Sequence, residues 1–223
     1  FDSKKASHYE DLARKAVFGY DQLFTMALSI FSDKLSESAN VLVVGCGTGM
    51  ELTTFGNYMP KWRLTGVDPS EEMIKIAKAK INSHSLNERV KLHHGFTDSL
   101  PEEENFDGAS LLFVLRFSPS EGNILTLFKN IAKRLRSGAT LIIVDQYGDP
   151  GSKQFHSMSK AWRNFMKLNG ASSELVSKIA VQSIEQYFIT EIRLQKLLFE
   201  AGFEKPISFY KSFFHGGWIT QKK

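Results

Sequence analysis

A chain of 223 residues that is 42% hydrophobic and 23% charged is long enough for one α/β domain with a full core, but short for two independent domains, and this composition excludes a disordered protein. The net charge of +4 permits an RNA or anionic substrate without indicating one, and no apolar run approaches the roughly 20 residues of a membrane span. The single cysteine excludes an internal disulfide and favours a reducing, cytoplasmic location.

Helical and strand-like patterns alternate along the chain. Residues 9–35 predict one or two amphipathic helices, broken near Gly19, which we expect to pack over the mouth of a cleft. Strands are predicted at 41–45, 63–67, 90–94, 107–113 and 139–145, with helical stretches between them. This alternation is typical of parallel strands joined by crossover helices. Further elements are predicted as helices at 152–188 and 190–201, and as short strands around 205–211 and 213–220.

The stretch 152–188 carries an apolar stripe. One helical face holds Phe155, Met158, Trp162, Phe165 and Met166. Docking of this face on the rest of the domain is the simpler interpretation, and a substrate lid or a dimer surface is the alternative.

The first predicted strand runs into a glycine-rich turn. Gly45 and Gly47 let the backbone bend tightly and come close to a ligand, because a Cβ would occupy that space. Cys46 lies between them, where a small side chain filling the turn is a simpler interpretation than a nucleophile. The next strand ends on Asp68, whose carboxylate can accept hydrogen bonds from both hydroxyls of a ribose. The turn and Asp68 together predict a nucleoside-cofactor site.

The residues after the turn argue against a phosphate-containing ligand. Met50 stands where a dinucleotide fingerprint has its third glycine. A phosphate loop would continue after Gly49 with lysine and a hydroxyl residue, but this chain continues with Met50-Glu51-Leu52, and the acidic side chain would repel phosphate. S-adenosylmethionine has a ribose, no phosphate and a positively charged sulfonium, and therefore fits this pattern.

Together these motifs resemble those of the class I S-adenosylmethionine-dependent methyltransferases. The segments that carry the resemblance are 41–49, 66–70 with Met73, 106–108 and 135–139. The resemblance implies an α/β, Rossmann-like fold, with a mostly parallel central sheet, an antiparallel C-terminal strand and a helical cap. It also implies S-adenosylmethionine as the cofactor and S-adenosylhomocysteine as the product.

A narrower likeness covers nearly the whole chain and is to the carboxy-S-adenosylmethionine synthase and tRNA uridine-modification group. The segments that carry it are Phe1-Asp2, Gly19-Tyr20, 113–117 with 119–121, and 201–204. The resemblance implies that Tyr20 reaches the cofactor from the amino-terminal cap. The arginine that this group pairs with the extra carboxylate of its cofactor falls at 180–183, where this chain has none, and the group's strand-four asparagine is Leu112. An unpaired buried carboxylate is costly, so ordinary S-adenosylmethionine is favoured.

Two positions depart from the wider methyltransferase pattern. Val43 replaces an acidic residue that many members place two positions before the first loop glycine, where it helps to hold the methionine moiety. Gly95-Phe96 replaces a Gly-Asp pair whose carboxylate takes the adenine amino group. Either Asp98 substitutes for that carboxylate or the adenine rests against Phe96.

These considerations predict the cofactor contacts. The backbone at Gly45 and Gly47 approaches the methionine portion, and Asp68 holds the ribose. Met73 and Phe96 bracket the adenine, and Phe113 lies near the sulfonium, where an aromatic face favours a cation. The full predicted set is Tyr20, Gly45, Cys46, Gly47, Asp68, Pro69, Met73, Phe96, Thr97, Asp98 and Phe113.

The sequence assigns no catalytic residue. Methyl transfer needs a base only when the nucleophile is protonated, and alignment of the reacting atoms is the main requirement. Tyr147 and His215 are candidate bases, although a structural role is the simpler interpretation of each. His93 and His94 point to opposite faces of a strand and cannot share a metal, and we predict no catalytic metal.

Three functions remain open at this point. The first is a methyltransferase that acts on a small molecule or an RNA base. The second is a carboxy-transfer enzyme, for which prephenate-dependent conversion of the cofactor is diagnostic. The third is a non-catalytic S-adenosylmethionine-binding protein. We expect no membrane association, and a homodimer is favoured by the aromatic helical addition. A single domain over 1–223 is predicted, divided into a cap at 1–38, a cofactor core at 39–150, a helical insertion or lid at 151–190, and a C-terminal helix and strands at 191–223.

Overall fold

The computed structural model describes residues 8–101, 105–184 and 187–223. Phe1-Asp2, which contributes to the narrower resemblance, lies outside the described residues. The strands are β1 (Asn40–Val44), β2 (Arg63–Asp68), β3 (Val90–His94), β4 (Phe106–Leu112), β5 (Leu135–Gln146), β6 (Ile207–Ser212) and β7 (His215–Gln221). The helices are α1 (Tyr9–Ala16), α2 (Tyr20–Lys34), α3 (Met50–Tyr58), α4 (Glu71–Ser83), α5 (Glu121–Arg134), α6 (Lys153–Leu168), α7 (Ser173–Ile184) and α8 (Glu191–Glu200), with short 3₁₀ turns at Thr97–Ser99 and Leu115–Phe117.

The strands form one sheet of seven in the order β3-β2-β1-β4-β5-β7-β6. Strands β1 to β5 are parallel, and β7 runs antiparallel to both β5 and β6. This arrangement confirms the predicted α/β fold with a mostly parallel sheet and an antiparallel C-terminal strand.

The centre of the sheet is β1, and it positions the glycine turn. Its four valine and leucine residues, 41–44, are buried on both faces, as expected of a β-branched run in a parallel sheet covered by helices on both sides. Val44 pairs with Val67 on β2 and with Leu111 on β4. The chain order reverses at β1, and in open α/β sheets a crevice forms at the carboxyl ends of the strands at such a point.

Helices cover both faces of the sheet. On one face, α2 buries Leu23, Phe24 and Phe31 in a cluster that includes Val43. On the other face, α5 and α8 bury an apolar cluster with Leu42 and Val44. Among the described residues, no helix is long and apolar enough to cross a membrane.

The amino-terminal helices break where the sequence predicts. Gly19, with φ of +68°, separates α1 from α2 in a left-handed conformation that glycine adopts without strain. The predicted fifth strand is present, but it begins at Leu135 rather than at residue 139, so only its predicted start is wrong. The reason is that Leu135 already pairs with Phe106, after which the register shifts before pairing resumes at Thr140.

The apolar stripe of α6 packs on the rest of the domain. Trp162 and Met166 are fully buried in a cluster with Phe214 from the turn between β6 and β7. The indole Nε1 of Trp162 donates a hydrogen bond to the carbonyl of Ala16 at 2.7 Å. The contacts of this face therefore come from the end of α1, from α7 through Val176, and from the last hairpin.

Candidate functional site

A cavity of about 550 Å³ opens at the carboxyl ends of β1, β2 and β4. Its volume lies within the range of about 300–1,000 Å³ that is typical of small-molecule sites. The lining includes all eleven residues of the predicted set: Tyr20, Gly45, Cys46, Gly47, Asp68, Pro69, Met73, Phe96, Thr97, Asp98 and Phe113. Residues that are far apart in the sequence thus line one cavity. No described residue of α6 or α7 belongs to this lining.

The glycine turn after β1 is tied to β2 by its backbone. The N–H groups of Gly45 and Cys46 both donate to the carbonyl of Val67, at 2.8 and 3.1 Å. A Cβ on Gly45 would lie 2.4 Å from Val114 Cγ2, so packing requires glycine there. A Cβ on Gly47 would meet no heavy atom closer than 3.9 Å. Gly47 therefore leaves open space, as a turn that a ligand approaches closely requires.

Asp68 connects the glycine turn with the start of α4. Its Oδ2 accepts a hydrogen bond from the N–H of Gly47 at 2.9 Å, and its Oδ1 accepts one from the N–H of Ser70 at 2.8 Å. The residue is only 8% exposed, and burial raises the pKa of its carboxyl, although these two N–H groups oppose the shift. Each carboxylate oxygen can accept a second hydrogen bond, so both remain available to a ribose diol.

The segment after β3 supplies another wall of the cavity. Thr97 is buried, whereas Phe96 is 69% exposed. Asp98 lies in a 3₁₀ turn held by the buried side chain of Arg134, whose Nη2 donates to the carbonyls of Asp98 at 3.0 Å and Leu100 at 2.6 Å. Arg134 thereby fixes the backbone of the turn that carries the predicted adenine contacts.

Phe113 has an unusual backbone conformation at the end of β4. Its φ of +62° is uncommon for an aromatic residue, and such strain concentrates at functional sites. The ring lies 5.8 Å from that of Tyr20, and the Arg116 guanidinium carbon lies 5.1 Å from the Phe113 ring centroid. The Phe113 ring therefore already contacts one cation, and a sulfonium would be a second.

Neither candidate base lines the cavity. Tyr147 packs edge-on against Trp218, with the ring centroids 5.3 Å apart. His215 is almost fully buried, and burial lowers its pKa to about 3, so its ring is neutral. Both positions agree with the structural interpretation.

Two further groups of residues lack the features of reactive sites. Cys46 is buried, and burial raises its thiol pKa well above the usual range, which disfavours a nucleophilic thiolate. His93 Nε2 lies 2.9 Å from Ser99 Oγ, while His94 Nε2 lies 3.1 Å from the carbonyl of Pro69, so the two rings have separate partners. In the described part of the chain, no three His, Cys, Asp or Glu side chains are grouped to hold a metal.

Sequence reasoning missed Glu51 as a member of the site. It used the charge of Glu51 only as an argument against phosphate, but the side chain is buried and lines the cavity. The available signal was that Glu51, beside Leu52 in the first turn, is the only charged residue of α3. Three acidic residues, Glu51, Asp68 and Asp98, line the cavity, whereas no lysine, arginine or histidine of the described residues does so. The lining therefore favours a cationic ligand.

Comparison with known proteins agrees with this geometry. A family model described as a methyltransferase domain matches residues 41–138, which contain the glycine turn, Asp68 and β4. Residues 41–138 of this chain therefore match a methyltransferase domain.

The similar proteins extend the likeness of this chain to a methyltransferase beyond residue 138. A carboxy-S-adenosyl-L-methionine synthase of Campylobacter hominis is 26% identical over 92% of this chain and 86% of its own length. A demethylmenaquinone methyltransferase of Listeria welshimeri is 32% identical over 54% of this chain and 51% of its own length. The crystal structure of an S-adenosylmethionine-dependent methyltransferase from Aquifex aeolicus shares the fold over the full length of both chains, with a TM-score of 0.68 at 19% identity. The chain is therefore similar to the carboxy-S-adenosylmethionine synthase group, and these likenesses imply S-adenosylmethionine as the cofactor.

The open space at Gly47 gives a prediction for this protein. Gly47→Ala should weaken S-adenosylhomocysteine binding about tenfold, because the new methyl group occupies the approach of the ligand. The left-handed φ of +49° should add about 1 kcal/mol of strain. Titration calorimetry and thermal unfolding measure the two effects.

Gly170→Ala is the matched control for that variant. Gly170 also has a left-handed φ, +79°, and open space around its missing Cβ, but it does not line the cavity. Its variant should show a similar loss of stability with unchanged affinity. Equal affinities in both variants would contradict a close approach of the ligand to Gly47.

Proposed function

We propose that this protein transfers the methyl group of S-adenosylmethionine to a small-molecule acceptor and releases S-adenosylhomocysteine. The observation that carries the proposal is that, among the described residues, the Asp, Glu, Lys, Arg and His side chains that line the cavity are all acidic: Glu51, Asp68 and Asp98. S-adenosylmethionine has cationic sulfonium and ammonium groups and no phosphate, so its charges suit such a lining. The cavity volume of about 550 Å³ supports an acceptor of small size.

Within this proposal, the residues of the chain bind and orient. The backbone at Gly45 and Gly47 approaches the methionine portion, and the Asp68 carboxylate accepts hydrogen bonds from the ribose hydroxyls. Met73 and Phe96 bracket the adenine. The remaining predicted contacts, Tyr20, Cys46, Pro69, Thr97, Asp98 and Phe113, complete the walls.

Catalysis then depends mainly on alignment. When bound, S-adenosylmethionine supplies a methyl group activated by a neutral sulfur leaving group. The apolar rings of Tyr20, Phe24 and Phe113 line the cavity and exclude water from this region. Holding the nucleophile in line with the methyl group supplies the larger part of the rate enhancement.

Carboxy transfer is the second function to test, because relatives such as the Campylobacter hominis protein carry that name. A carboxylated cofactor would bring an extra negative charge into the cavity. Leu112, at the position of the group's asparagine, is a buried apolar wall residue, and no basic side chain among the described residues lines the cavity to pair with that charge. These features favour ordinary S-adenosylmethionine.

The proposal is tested by incubating the protein with methyl-labelled S-adenosylmethionine and cell extract separated into small-molecule and RNA fractions. We expect label to enter the small-molecule fraction with release of S-adenosylhomocysteine. Label in RNA would reassign the acceptor. Conversion of the cofactor only when prephenate is added would favour carboxy transfer. Binding without any turnover would favour a non-catalytic S-adenosylmethionine-binding protein.

Several coarser predictions accompany this function. Division into cap, cofactor core, helical addition and C-terminal segment stays a prediction, as does a cytoplasmic location, which rests on the single cysteine. Homodimer formation is a further prediction, although Trp162 and Met166 of the aromatic face pack within the chain. Light scattering should give twice the chain mass of 25.2 kDa if the dimer forms, and the single mass if it does not.

A further inference from the structure

A buried carboxyl group lies directly after the glycine turn, and one of its oxygens has no hydrogen-bond partner among the described residues. Glu51 is the second residue of α3, is 4% exposed and lines the cavity. Its Oε1 accepts no hydrogen bond from any described residue. Leaving a buried polar atom unpaired is costly, and such exceptions in folded proteins call for an explanation. A ligand that donates a hydrogen bond in the cavity would supply one.

The Glu51 carboxyl lies near position 43, where Val43 replaces the acidic residue of many other methyltransferases. Ser110 of β4 pairs in register with Val43 of β1. The Ser110 hydroxyl lies beside the Glu51 carboxyl and favours its ionised form, yet Ser110 Oγ is also buried without a hydrogen-bond partner among the described residues. Glu51 therefore brings a carboxyl, from the following helix, close to the level of the sheet where the acidic residue of other methyltransferases would stand.

We propose that Glu51 is the anionic partner of the α-ammonium group of S-adenosylmethionine and S-adenosylhomocysteine, in place of an acidic residue at position 43. This inference rests on the proposed function. An ammonium group has three N–H donors and a full positive charge, so it both satisfies the orphaned oxygen and neutralises the buried charge. In this proposal, Glu51 makes no contact with the adenosine part of the ligand.

In the part of the chain that the structure describes, no lysine, arginine or histidine lines the cavity beside Glu51. The titratable groups that interact with it are Tyr9 of α1, Tyr20 of α2 and Cys46 of the glycine turn. The pKa values of all three are raised, mainly by burial, so all three are neutral near pH 7. Burial also raises the pKa of Glu51 to about 8. A bound ammonium group would lower that pKa, so its binding near neutral pH should release a proton.

The test compares two ligands that differ in the amino-acid part. S-adenosylhomocysteine carries the ammonium group, whereas methylthioadenosine keeps the adenosine and sulfur without it. In Glu51→Gln at pH 8.5, we expect the dissociation constant of S-adenosylhomocysteine to rise about tenfold or more, because a charge-assisted hydrogen bond is lost. The dissociation constant of methylthioadenosine should stay within about twofold of the wild-type value. Glutamine nearly preserves the shape of the side chain, and thermal unfolding confirms that the variant is folded.

Asp98→Asn is the matched control, since Asp98 lines the same cavity from the segment after β3. Any change that it causes should be shared by both ligands. Unchanged S-adenosylhomocysteine affinity in Glu51→Gln, or an equal loss for both ligands, would overturn the role of Glu51. If the wild-type protein binds neither ligand, the proposed function itself fails, and this inference fails with it.

Discussion

Replacing Asp68 with alanine should weaken S-adenosylhomocysteine binding at least about a hundredfold. The variant would lack the carboxylate and so would lose two charge-assisted hydrogen bonds to the ribose, each contributing about 1.5–3 kcal/mol. The N–H groups of Gly47 and Ser70 would also lose their acceptor, which loosens the glycine turn. Titration calorimetry on ligand-depleted protein measures the change.

Asp107→Asn is a suitable control for the Asp68 variant. Asp107 also accepts a backbone hydrogen bond, from Asn40 at 2.8 Å, and it pairs with Arg136 at 2.6 Å. It lies near the amino end of β4, at the opposite edge of the sheet from the cavity. Its variant should bind S-adenosylhomocysteine as the wild type does. Unchanged binding by Asp68→Ala would show that the carboxylate does not hold the ribose.

The buried carboxyl of Glu51 should make stability depend on pH. Its pKa is about 8 in the folded protein, against about 4.3 in an unfolded chain. The folded state therefore binds this proton more tightly, so its favourable contribution is present below about pH 4 and is lost as the pH rises towards 8. Each pKa unit corresponds to about 1.4 kcal/mol, and the full loss amounts to several kcal/mol.

Urea unfolding of wild type and Glu51→Gln at pH 5.5 and 8.5 measures this effect. The variant lacks the titrating group, so its stability relative to wild type should increase by at least about 2 kcal/mol between the two pH values. Glu37→Gln is the control, because Glu37 pairs with Lys61 on the surface and its pKa is lowered rather than raised. Parallel pH profiles of wild type and Glu51→Gln would contradict a raised pKa at Glu51.

Local patterns in the sequence were enough to predict the frame of the site. The mostly β-branched run before Gly45 forms a buried central strand. The glycines come directly after this strand, and Asp68 is the last residue of β2. Because carboxyl ends of parallel strands meet at one edge of the sheet, residues from β1, β2 and β4 reach one cavity. The order of strands and turns along the chain was therefore sufficient to predict which residues line the cavity.

Contacts between distant segments account for what the sequence did not reveal. Glu51 interacts with Tyr9, Tyr20 and Ser110, which belong to three other elements. A helix pattern alone does not distinguish a buried Glu51 from a solvated first-turn acid. The partner of Trp162 is likewise distant, since Phe214 comes from the last hairpin. The early start of β5 at Leu135 arises from pairing with Phe106, which local propensity does not encode.

The most direct test of the central claim is calorimetric titration of ligand-depleted wild-type protein with S-adenosylmethionine, S-adenosylhomocysteine and NAD. A cavity built for phosphate-free adenosine with a cationic tail should bind the first two ligands at one site per chain, and NAD should not compete. NAD binding that displaces S-adenosylhomocysteine, or a failure to bind either S-adenosyl compound, would contradict the assignment.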